Sequence, residues 1–500
     1  MSEVKTTPPP PPAAPPVPKE KVKFLWNDKE IEAKPGSNLL KAALDNKIEV
    51  AHYCYHPGLS IAGVCRMCMV EQEGVPRPFP ACNAVVTEGI KVRNDTAQIK
   101  AAVEWTLQLH LVNHPLDCPI CDQAGECGLQ DYYMKHGVYD SSMIDKKVHK
   151  DKVQDIGRNV MLDAERCILC SRCVRFTDEV TVTHEMGIVN RGDHSEITTN
   201  DSLKNYYAQN LVDICPVGAL TSKDFRFKQR VWFLDDVDTT CIGCETGCSV
   251  KVSFNKNDAY RVKPVFDAAV NGYWMCDDGR SVYKHVGRAD RLVTFMENRT
   301  GLFLPAIEKE VVGKLKEKKK NFILSTDLTN EEYAAFFSRL KGESVNVALY
   351  SLPEHKLEDG RDFDGLLRRS NKNANLKGAE AAFKKAGFDA SEAALQTLVN
   401  NLKADDAIFI VMPEVVYNED HLETLVKKVK NAGSKVALTS NEAFYFMKDF
   451  DYLLPLPTFL EKTGTMLNFK GLERKLNRAK NTWGEASKTV ASYAELMFGE

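Results

Sequence analysis

Apolar positions near the start of the chain follow two different periods. KVKFLW and EIEAK alternate apolar and polar side chains around Asn27-Asp28, which predicts a β-hairpin. LLKAA then repeats apolar residues at helical spacing, with Ser37 as the predicted N-cap. The chain next extends through IEVAHYC. This order of elements predicts a small ferredoxin-like β-grasp domain over residues 21–97.

The pattern changes twice further along. Residues 98–137 are predicted to be helical, whereas cysteine-rich loops dominate residues 150–290, where bound metal must replace part of a hydrophobic core. From residue 320, the apolar segments FILST, VNVALY, AIFIVM and KVALTS alternate with stretches such as NEEYAAFFSRL and EDHLETLVKKVKNAG. That alternation is typical of a doubly wound α/β domain. The fold class is therefore α+β and α/β, in several domains.

Composition narrows the function classes. The 500 residues, 43% of them hydrophobic, are enough for at least three domains. A net charge of −3 gives no general attraction to nucleic acid or an anionic membrane. No apolar run approaches the roughly 20 residues that cross a bilayer. Residues 1–20, with eight prolines among the first eighteen, resemble neither a secretory signal nor a transit peptide and are predicted to be a disordered arm.

The fifteen cysteines all lie between Cys54 and Cys276. Without a secretory signal, they favour metal ligation in a reducing compartment over disulfide bonds. The first set follows the spacing C-x10-C-x2-C-x13-C, a variant of the plant-type [2Fe–2S] order. Its members are Cys54, Cys65, Cys68 and Cys82. Zinc or free buried cysteines are the alternatives, although structural zinc sites usually use two close pairs.

The second set combines a histidine with three cysteines at H-x3-C-x2-C-x5-C spacing. It consists of His114, Cys118, Cys121 and Cys127. A lone histidine is usually structural, but this one precedes a C-x2-C pair that lacks a fourth nearby ligand. An iron–sulfur cluster with one imidazole is the favoured interpretation, and zinc held by the same histidine and three cysteines is the rival.

The third set is the strongest local signal in the chain. Its residues are Cys167, Cys170, Cys173 and the remote Cys215, which precedes Pro216. A C-x2-C-x2-C run with a distant Cys-Pro is typical of bacterial-type [4Fe–4S] ferredoxins. Thr177 stands where a two-cluster ferredoxin would place another cysteine, so a single cubane is predicted.

The fourth set has the spacing C-x2-C-x3-C-x27-C. It comprises Cys241, Cys244, Cys248 and Cys276. A [4Fe–4S] cluster is the favoured occupant, with structural zinc as the alternative. The four sets together use every cysteine of the chain.

Several catalytic signatures are absent from the sequence. There is no GxGxxG between a strand and a helix, no GxxxxGK[ST], no HExxH and no GxSxG. One-electron centres without an organic redox cofactor cannot convert a two-electron donor, so the sequence predicts an electron relay without a complete active site.

Four segments carry a family resemblance: NHPLDCPICDQAGEC, RCILCSRC, IVNRGDHSEI and CPVGALTSKDF. Over residues 21–290 the chain resembles the G subunit, the 75 kDa iron–sulfur subunit in mitochondria, of NADH–quinone oxidoreductase (respiratory complex I). The resemblance implies one [2Fe–2S] cluster at the first set and [4Fe–4S] clusters at the other three. It also implies that the fourth cluster lies off the main electron path and has a structural role.

The resemblance also implies partners and a location. The expected partners are the FMN- and NADH-binding flavoprotein subunit, its thioredoxin-like 2Fe–2S partner, a two-cluster ferredoxin-like subunit and other peripheral-arm subunits. The expected location is the cytoplasmic face of the bacterial inner membrane, with membrane contact only through the complex. No nucleic acid is expected as a partner.

Residues 291–500 resemble a reduced molybdopterin-oxidoreductase-like α/β region, as LLPLPTFLEKTGTMLNFKG suggests. No cysteine is available there to bind molybdenum, so a scaffold without molybdopterin is expected. The expected domains are a proline-rich arm at 1–20, a 2Fe–2S domain at 21–97, a histidine-plus-three-cysteine 4Fe–4S domain at 98–137, a ferredoxin-like 4Fe–4S region at 138–235, a Mo/W-oxidoreductase-type 4Fe–4S region at 236–290 and the α/β domain at 291–500.

Two rival functions are compatible with parts of the pattern. A relay subunit of a soluble NAD-linked hydrogenase or formate dehydrogenase can share the first three motifs, although the long metal-free α/β region argues against it. A non-redox zinc scaffold is disfavoured by the spacing of the third set.

Overall fold

The computed structural model describes residues 20–141, 143–289, 291–298, 301–417, 419–440, 445–480 and 488–498. The predicted proline-rich arm lies outside these residues except for Glu20. The first domain contains β1 Val22–Trp26, β2 Lys29–Ala33, α1 Leu39–Asp45, β3 Met69–Gln72, β4 Phe79–Pro80 and β5 Lys91–Arg93. Its sheet has the order β2-β1-β5-β3-β4, in which β1 and β5 are parallel.

The predicted hairpin is confirmed, because β1 and β2 pair in antiparallel register around Asn27-Asp28. Both turn residues have positive φ, 47° and 66°, which asparagine and aspartate tolerate better than most side chains. The predicted N-cap of α1 is wrong. Asn38 caps the helix by accepting a bond from the Lys41 N–H, while the Ser37 hydroxyl donates to the Lys34 carbonyl.

The region predicted to be helical over 98–137 consists of two helices and an intervening cysteine loop. The helices are α2 Ala97–Leu111 and α3 Gly128–His136. Beyond them lie short elements, β6 Gln154–Asp155, β7 Val160–Leu162, α4 Arg172–Glu179, β8 Met186–Val189, β9 Glu196–Thr199, α5 Asn210–Ile214 and β10 Leu220–Ser222. Three of these strands form a sheet with the order β10-β7-β6, and β8 pairs with β9.

A longer antiparallel sheet carries the fourth cysteine set. It is formed by β11 Asp235–Thr240, β12 Ser249–Asn255 and β13 Asp258–Pro264, and is followed by α6 Asp277–Ser281. Val250, Val252 and Val262 of this sheet are buried and belong to the same apolar cluster as Trp274 and Met275. The sheet therefore holds in place the loop between β11 and β12, which carries three of the cysteines, and the segment before α6, which carries Cys276.

The remaining residues form an α/β domain. Its elements are β14 Met296–Asn298, β15 Phe303–Pro305, α7 Glu308–Lys316, β16 Lys320–Leu324, α8 Asn330–Arg339, β17 Asn346–Leu349, α9 Leu376–Ala386, α10 Glu392–Asn400, β18 Ala407–Val411, α11 Asp420–Lys428, β19 Ser434–Thr439, β20 Tyr452–Pro455, β21 Gly464–Leu467, β22 Glu473–Leu476 and α12 Val490–Phe498. The main sheet has the order β15-β14-β20-β19-β18-β16-β17.

The predicted doubly wound pattern is confirmed for this domain. Strands β16 to β20 pair in parallel, and β16 to β19 correspond to the apolar segments identified in the sequence. Successive residues of β18 serve opposite faces of the sheet: Phe409 packs in one apolar layer, and Ile408 and Ile410 pack in the other. Phe322 of β16 stacks on Phe409 with ring centroids 4.9 Å apart.

The α/β domain packs directly against the fourth cysteine region. Thr246 Oγ1 donates to the Leu367 carbonyl at 2.9 Å, and Phe469 N–H donates to the Glu245 carbonyl at 2.9 Å. Thr240 Oγ1 also donates to the Lys475 carbonyl at 2.6 Å. The cysteine-rich and cysteine-free parts of the chain therefore share a hydrogen-bonded boundary.

Candidate cluster-binding sites

The first site brings together the four thiols predicted for it. Cys54 contacts both Cys65 and Cys82, and Cys82 also contacts Cys68. All four are buried. Hydrogen bonds from the neighbouring thiols hold the pKa of Cys54 below its usual range and raise the pKa of Cys65 and Cys82. The thiols therefore lie close enough together to hold a two-iron cluster.

Backbone N–H groups point at the sulfurs of this site. Tyr53 N–H donates to Cys65 Sγ at 3.4 Å. Gly63 and Arg66, close to Cys65 on either side, adopt positive φ of 66° and 53°, which turns the main chain around the thiol. Such N–H donors suit the sulfur atoms of an iron–sulfur cluster.

The second site lies in the loop between α2 and α3. Cys121 and Cys127 are buried, whereas Cys118 is exposed. Cys127 lies within electrostatic range of both other thiols. Burial raises the pKa of Cys127 to about 11. The His114 Nδ1 atom is buried without a hydrogen-bond partner among the described residues, and burial lowers the pKa of this imidazole to about 4.

A neutral imidazole with an unused buried nitrogen is the chemistry that a metal ligand needs. His114 and Cys121 both lie within electrostatic range of the Arg166 guanidinium, so the histidine belongs to the same neighbourhood as the thiols. The second donor set fits the cluster that the sequence predicts for it.

The wall of the second site comes from a later part of the chain. A Cβ atom added at Gly218 would lie 2.1 Å from Cys121 Sγ, so only glycine fits there. Gly128 N–H donates to the Pro216 carbonyl at 3.0 Å. The loop that follows Cys215 therefore packs directly against the second site.

The third site groups three cysteines at the start of α4 with Cys215 at the end of α5. The Cys173 thiol, whose pKa burial raises, is within electrostatic range of Cys167, Cys170 and Cys215. Leu169 N–H donates to Cys167 Sγ at 3.4 Å. Burial raises the pKa of Cys167 and Cys215 to about 12, and a metal ion bound at these sulfurs would favour their thiolate forms.

Backbone conformation explains how the C-x2-C-x2-C run wraps its site. Leu169 and Ser171, which lie between the cysteines, have φ of 54° and 59°. Left-handed residues are costly outside glycine, and they persist where a functional loop needs its N–H groups turned inward. Cys170 and Cys215 each accept a backbone bond, from Arg172 and Val217 respectively.

The fourth site is a pocket between β11, β12 and α6. Cys241, Cys244, Cys248 and Cys276 all line it. Gly243 N–H donates to Cys241 Sγ and Gly279 N–H donates to Cys276 Sγ, each at 3.4 Å. The α/β domain supplies part of the wall through Leu367, Arg368, Lys372 and Tyr417.

The spacing of the donors bears on the zinc alternative. Within the described ranges, no group of three or more His, Cys, Asp or Glu side chains converges on a point that one metal ion would occupy. A zinc ion needs four donors at about 2.0–2.3 Å from one centre. An iron–sulfur cluster instead distributes its thiolate ligands over more than one iron, so the two kinds of site require different donor spacings.

Two arginines link the first and third sites, and the cysteine spacing of the third set does not by itself identify either of them. Arg175 Nη2 donates to the Cys54 carbonyl at 2.5 Å and to the Cys170 carbonyl at 3.4 Å. Arg172 donates to the carbonyls of Tyr55, at 2.6 Å, and Ile214, at 2.9 Å. The third site therefore contacts the first site, and the loop that follows its Cys215 contacts the second site through Gly218.

Among the residues that the structure describes, no helix combines the length and apolarity needed to traverse a lipid bilayer.

Four family models match successive parts of the chain. They are a 2Fe-2S iron-sulfur cluster binding domain at residues 19–97, the NADH-ubiquinone oxidoreductase-G iron-sulfur binding region at 105–142, the NADH-quinone oxidoreductase subunit 3 ferredoxin-like domain at 157–221 and a molybdopterin oxidoreductase Fe4S4 domain at 235–288. Each match contains all the donor residues of one of the four candidate sites.

Curated relatives point the same way. The NADH-quinone oxidoreductase G subunit of Streptomyces coelicolor is 35% identical over 311 residues, covering 61% of this chain and 37% of the relative. The G subunit of Rickettsia typhi is 37% identical over 265 residues, covering 52% and 39%. The NADH-ubiquinone oxidoreductase 75 kDa subunit of Reclinomonas americana is 40% identical over 262 residues, covering 52% and 38%.

The chain spans about two fifths of the length of these relatives. A solved structure of an NAD+-reducing [NiFe]-hydrogenase in the H2-reduced state is 27% identical, with a TM-score of 0.38, and covers 42% of this chain and 91% of its own. At that TM-score the likeness does not distinguish between functions. The motifs, the family models and the curated relatives agree that this chain is similar to the G, or 75 kDa, subunit of NADH-quinone oxidoreductase.

Proposed function

We propose that this chain holds one [2Fe–2S] and three [4Fe–4S] clusters and relays electrons within NADH–quinone oxidoreductase, from the FMN-containing NADH-oxidising subunit toward quinone. The observation that carries the proposal is the adjacency of three sites: Arg175 donates to the carbonyls of Cys54 and Cys170, and Gly218, in the loop that follows Cys215, packs on Cys121. When bound, the clusters supply one-electron carriers. The ligands are the cysteines and the histidine of the four sets.

The chain's own residues support a relay in three ways. Burial of most of the thiols excludes water from the centres. Backbone N–H groups at Tyr53, Leu169 and Gly243 orient the sulfurs that would hold iron. Direct contacts between adjacent sites keep those sites close together, and electron tunnelling falls steeply with distance. Donor positions held by packing favour fast transfer because little rearrangement follows each step.

The exposed Cys118 makes the second site the most accessible of the centres. Apolar side chains surround this end, among them Leu116, Ile120 and Phe227, all exposed. We assign the FMN-bearing subunit with its thioredoxin-like 2Fe–2S partner, and the two-cluster ferredoxin-like subunit, as the partners that give and receive electrons. Attachment to the cytoplasmic face of the bacterial inner membrane is through those and other peripheral-arm subunits.

The α/β domain does not fit a molybdopterin. Ligands of such sheets bind at the carboxyl ends of the strands. Here Asp327 follows β16 and Glu414 follows β18, and Asp327 accepts from the Glu414 N–H at 2.5 Å. Glu414 also accepts from His285 at 2.8 Å. Lys462 lies within electrostatic range of both carboxylates, so a network of side chains in mutual contact occupies this edge, which supports the assignment of this domain as a scaffold.

Iron analysis tests the proposal. The full chain, prepared anaerobically, is expected to hold about 14 irons and matching acid-labile sulfide, from the cluster types that the ligand patterns support. Cys82→Ala should remove about two irons and Cys173→Ala about four. EPR during stepwise reduction should show separate signals for the first and third sites. A colourless chain without sulfide would contradict the proposal.

A second measurement separates the proposal from its rival. Co-purification of the tagged chain from its own cells should recover a flavoprotein and membrane subunits. If the tagged chain instead co-purified with the catalytic subunit of a hydrogenase or formate dehydrogenase, the assignment to complex I would be wrong. The assignment of the chain as an electron relay would still hold.

A further inference from the structure

The pocket of the fourth site contains a buried cation that no side chain in the described part of the protein neutralises. Lys372, in the loop between β17 and α9, lines the pocket together with the four thiols. Only 8% of this lysine is exposed. Among the described residues its ammonium contacts the ring of Tyr417, with Nζ 4.7 Å from the centroid, and forms no ion pair. Burying an unpaired ammonium is costly, so a negative partner is expected nearby.

The nearby carboxylate does not serve as that partner. Asp278 lines the same pocket, but its Oδ2 accepts from Arg368 Nε at 3.0 Å. The Nη atoms of Arg368 bind Glu358 on the opposite side, each at 3.0 Å. Asp278 is therefore held by its own cationic partner, which leaves Lys372 facing the cysteines.

The thiols are the remaining acidic groups in reach. Lys372 is close enough to Cys241 for its charge to act on that thiol. Tyr417 fixes the position of the lysine from the other side, because its hydroxyl donates to the Gly243 carbonyl at 2.9 Å. An iron–sulfur cluster with four thiolates carries a net negative charge in both oxidation states, which makes it a counter-ion for this ammonium.

We propose that Lys372 is the counter-charge of the fourth cluster, supplied by the α/β domain across the boundary between the two parts of the chain. This inference rests on the proposed fourth cluster. Lys372 is a positioning residue: it touches no reacting atom and acts through the charge it presents to the cluster. Reduction adds a negative charge to the cluster, so the nearby ammonium stabilises the reduced form more than the oxidised form.

The test is an EPR-monitored redox titration of the full chain with its clusters in place. Cys276→Ser, which replaces one thiolate by an oxygen ligand, identifies the signal of the fourth site. In Lys372→Gln, the ratio of reduced to oxidised fourth cluster at a fixed potential should fall by about tenfold or more. The reason is that the variant loses one positive charge close to the cluster. Lys372→Arg should keep the ratio within about threefold. The signals of the first and third sites should not move.

A matched control is Lys356→Gln, in the same loop but exposed and paired with Asp362. It should leave the fourth signal unchanged. Asp278→Asn removes a negative charge from the pocket and should shift the ratio in the opposite direction to Lys372→Gln. An unchanged ratio in both Lys372→Gln and Asp278→Asn would overturn the proposal.

Iron content resolves the case in which the neutral variant does not hold its cluster. Loss of about four irons in Lys372→Gln but not in Lys372→Arg supports a requirement for charge. The same loss in both variants would overturn the proposal, since shape rather than charge would then be required. If the unsubstituted chain held only about ten irons, the fourth cluster itself would be disproved. If the chain held all of its irons but the ratio did not change in the variants, only the role of Lys372 would be disproved.

Discussion

The cysteine-rich and cysteine-free parts of this chain differ in the interactions that stabilise their folds. Between residues 20 and 288, helices α5 and α6 have five residues each, and thiols form part of the apolar clusters. In the α/β domain, every residue of β16 and β18 is buried between two apolar layers. We expect the first part to depend on bound metal and the second on packed side chains, so each should fail under a different treatment.

Of the treatments considered, removal of iron should produce the largest difference in stability between the two parts. Anaerobic chelation is expected to abolish amide protection across the cysteine-rich part, because metal binding and folding are coupled where the ligands supply the core. Protection in β16, β18 and β19 should persist. Hydrogen exchange read by mass spectrometry gives both results in one experiment. Equal loss in the two parts would show that the α/β domain does not fold by its own core.

A single glycine tests the same dependence at one site. Gly218→Ala places a methyl group 2.1 Å from Cys121 Sγ, which the second site cannot accommodate. The variant should lose about four irons and keep the others. Gly287→Ala, where a Cβ meets no neighbour within 4 Å, is the matched control. A full set of irons in Gly218→Ala would mean that this loop is not part of the wall.

A core substitution should affect only the other part. Phe409→Ala removes a fully buried ring that stacks on Phe322, and should lower the free energy of unfolding of the α/β domain by about 3–5 kcal/mol. Iron content should stay unchanged. Denaturant unfolding followed by far-UV circular dichroism, with iron measured in parallel, checks both points. Loss of iron would show that the two parts are one cooperative unit.

The smallest effect is expected at a helix cap. Thr329 caps α8 through a capping box with Glu332, in which each side chain bonds the other's backbone N–H, at 3.1 Å and 2.8 Å. Thr329→Ala should cost the α/β domain about 1 kcal/mol. The midpoint of its denaturant unfolding reports this change. Thr329→Ser keeps the hydroxyl and should therefore retain most of the stability that Thr329→Ala loses.

Sequence reasoning is sufficient where a local pattern carries the structure. The Asn27-Asp28 hairpin and the parallel strands β16 to β19 follow directly from residue periodicity and turn chemistry. The spacing of Cys167, Cys170 and Cys173 likewise indicates a single site, since a short loop must place them together. These features depend on residues that are close in the chain.

Other features depend on residues that meet only after folding. Lys372 lies far along the chain from Cys276, and no motif connects it with the fourth site. Arg175 bridges Cys54 and Cys170 through carbonyl oxygens, which have no sequence signature. The pattern places the N-cap of α1 only to within one residue, because Ser37 and its neighbour both have suitable side chains.

The close contact between Gly218 and Cys121 also constrains the order in which the protein can mature. Cys121 emerges from the ribosome well before the segment that closes over it. A nascent chain that ends before residue 218 can present the three thiols of the second site but lacks the surface that shields them. We therefore expect iron insertion there to be completed only after translation has passed the third site, so a cell must keep these cysteines reduced and unoccupied in the meantime.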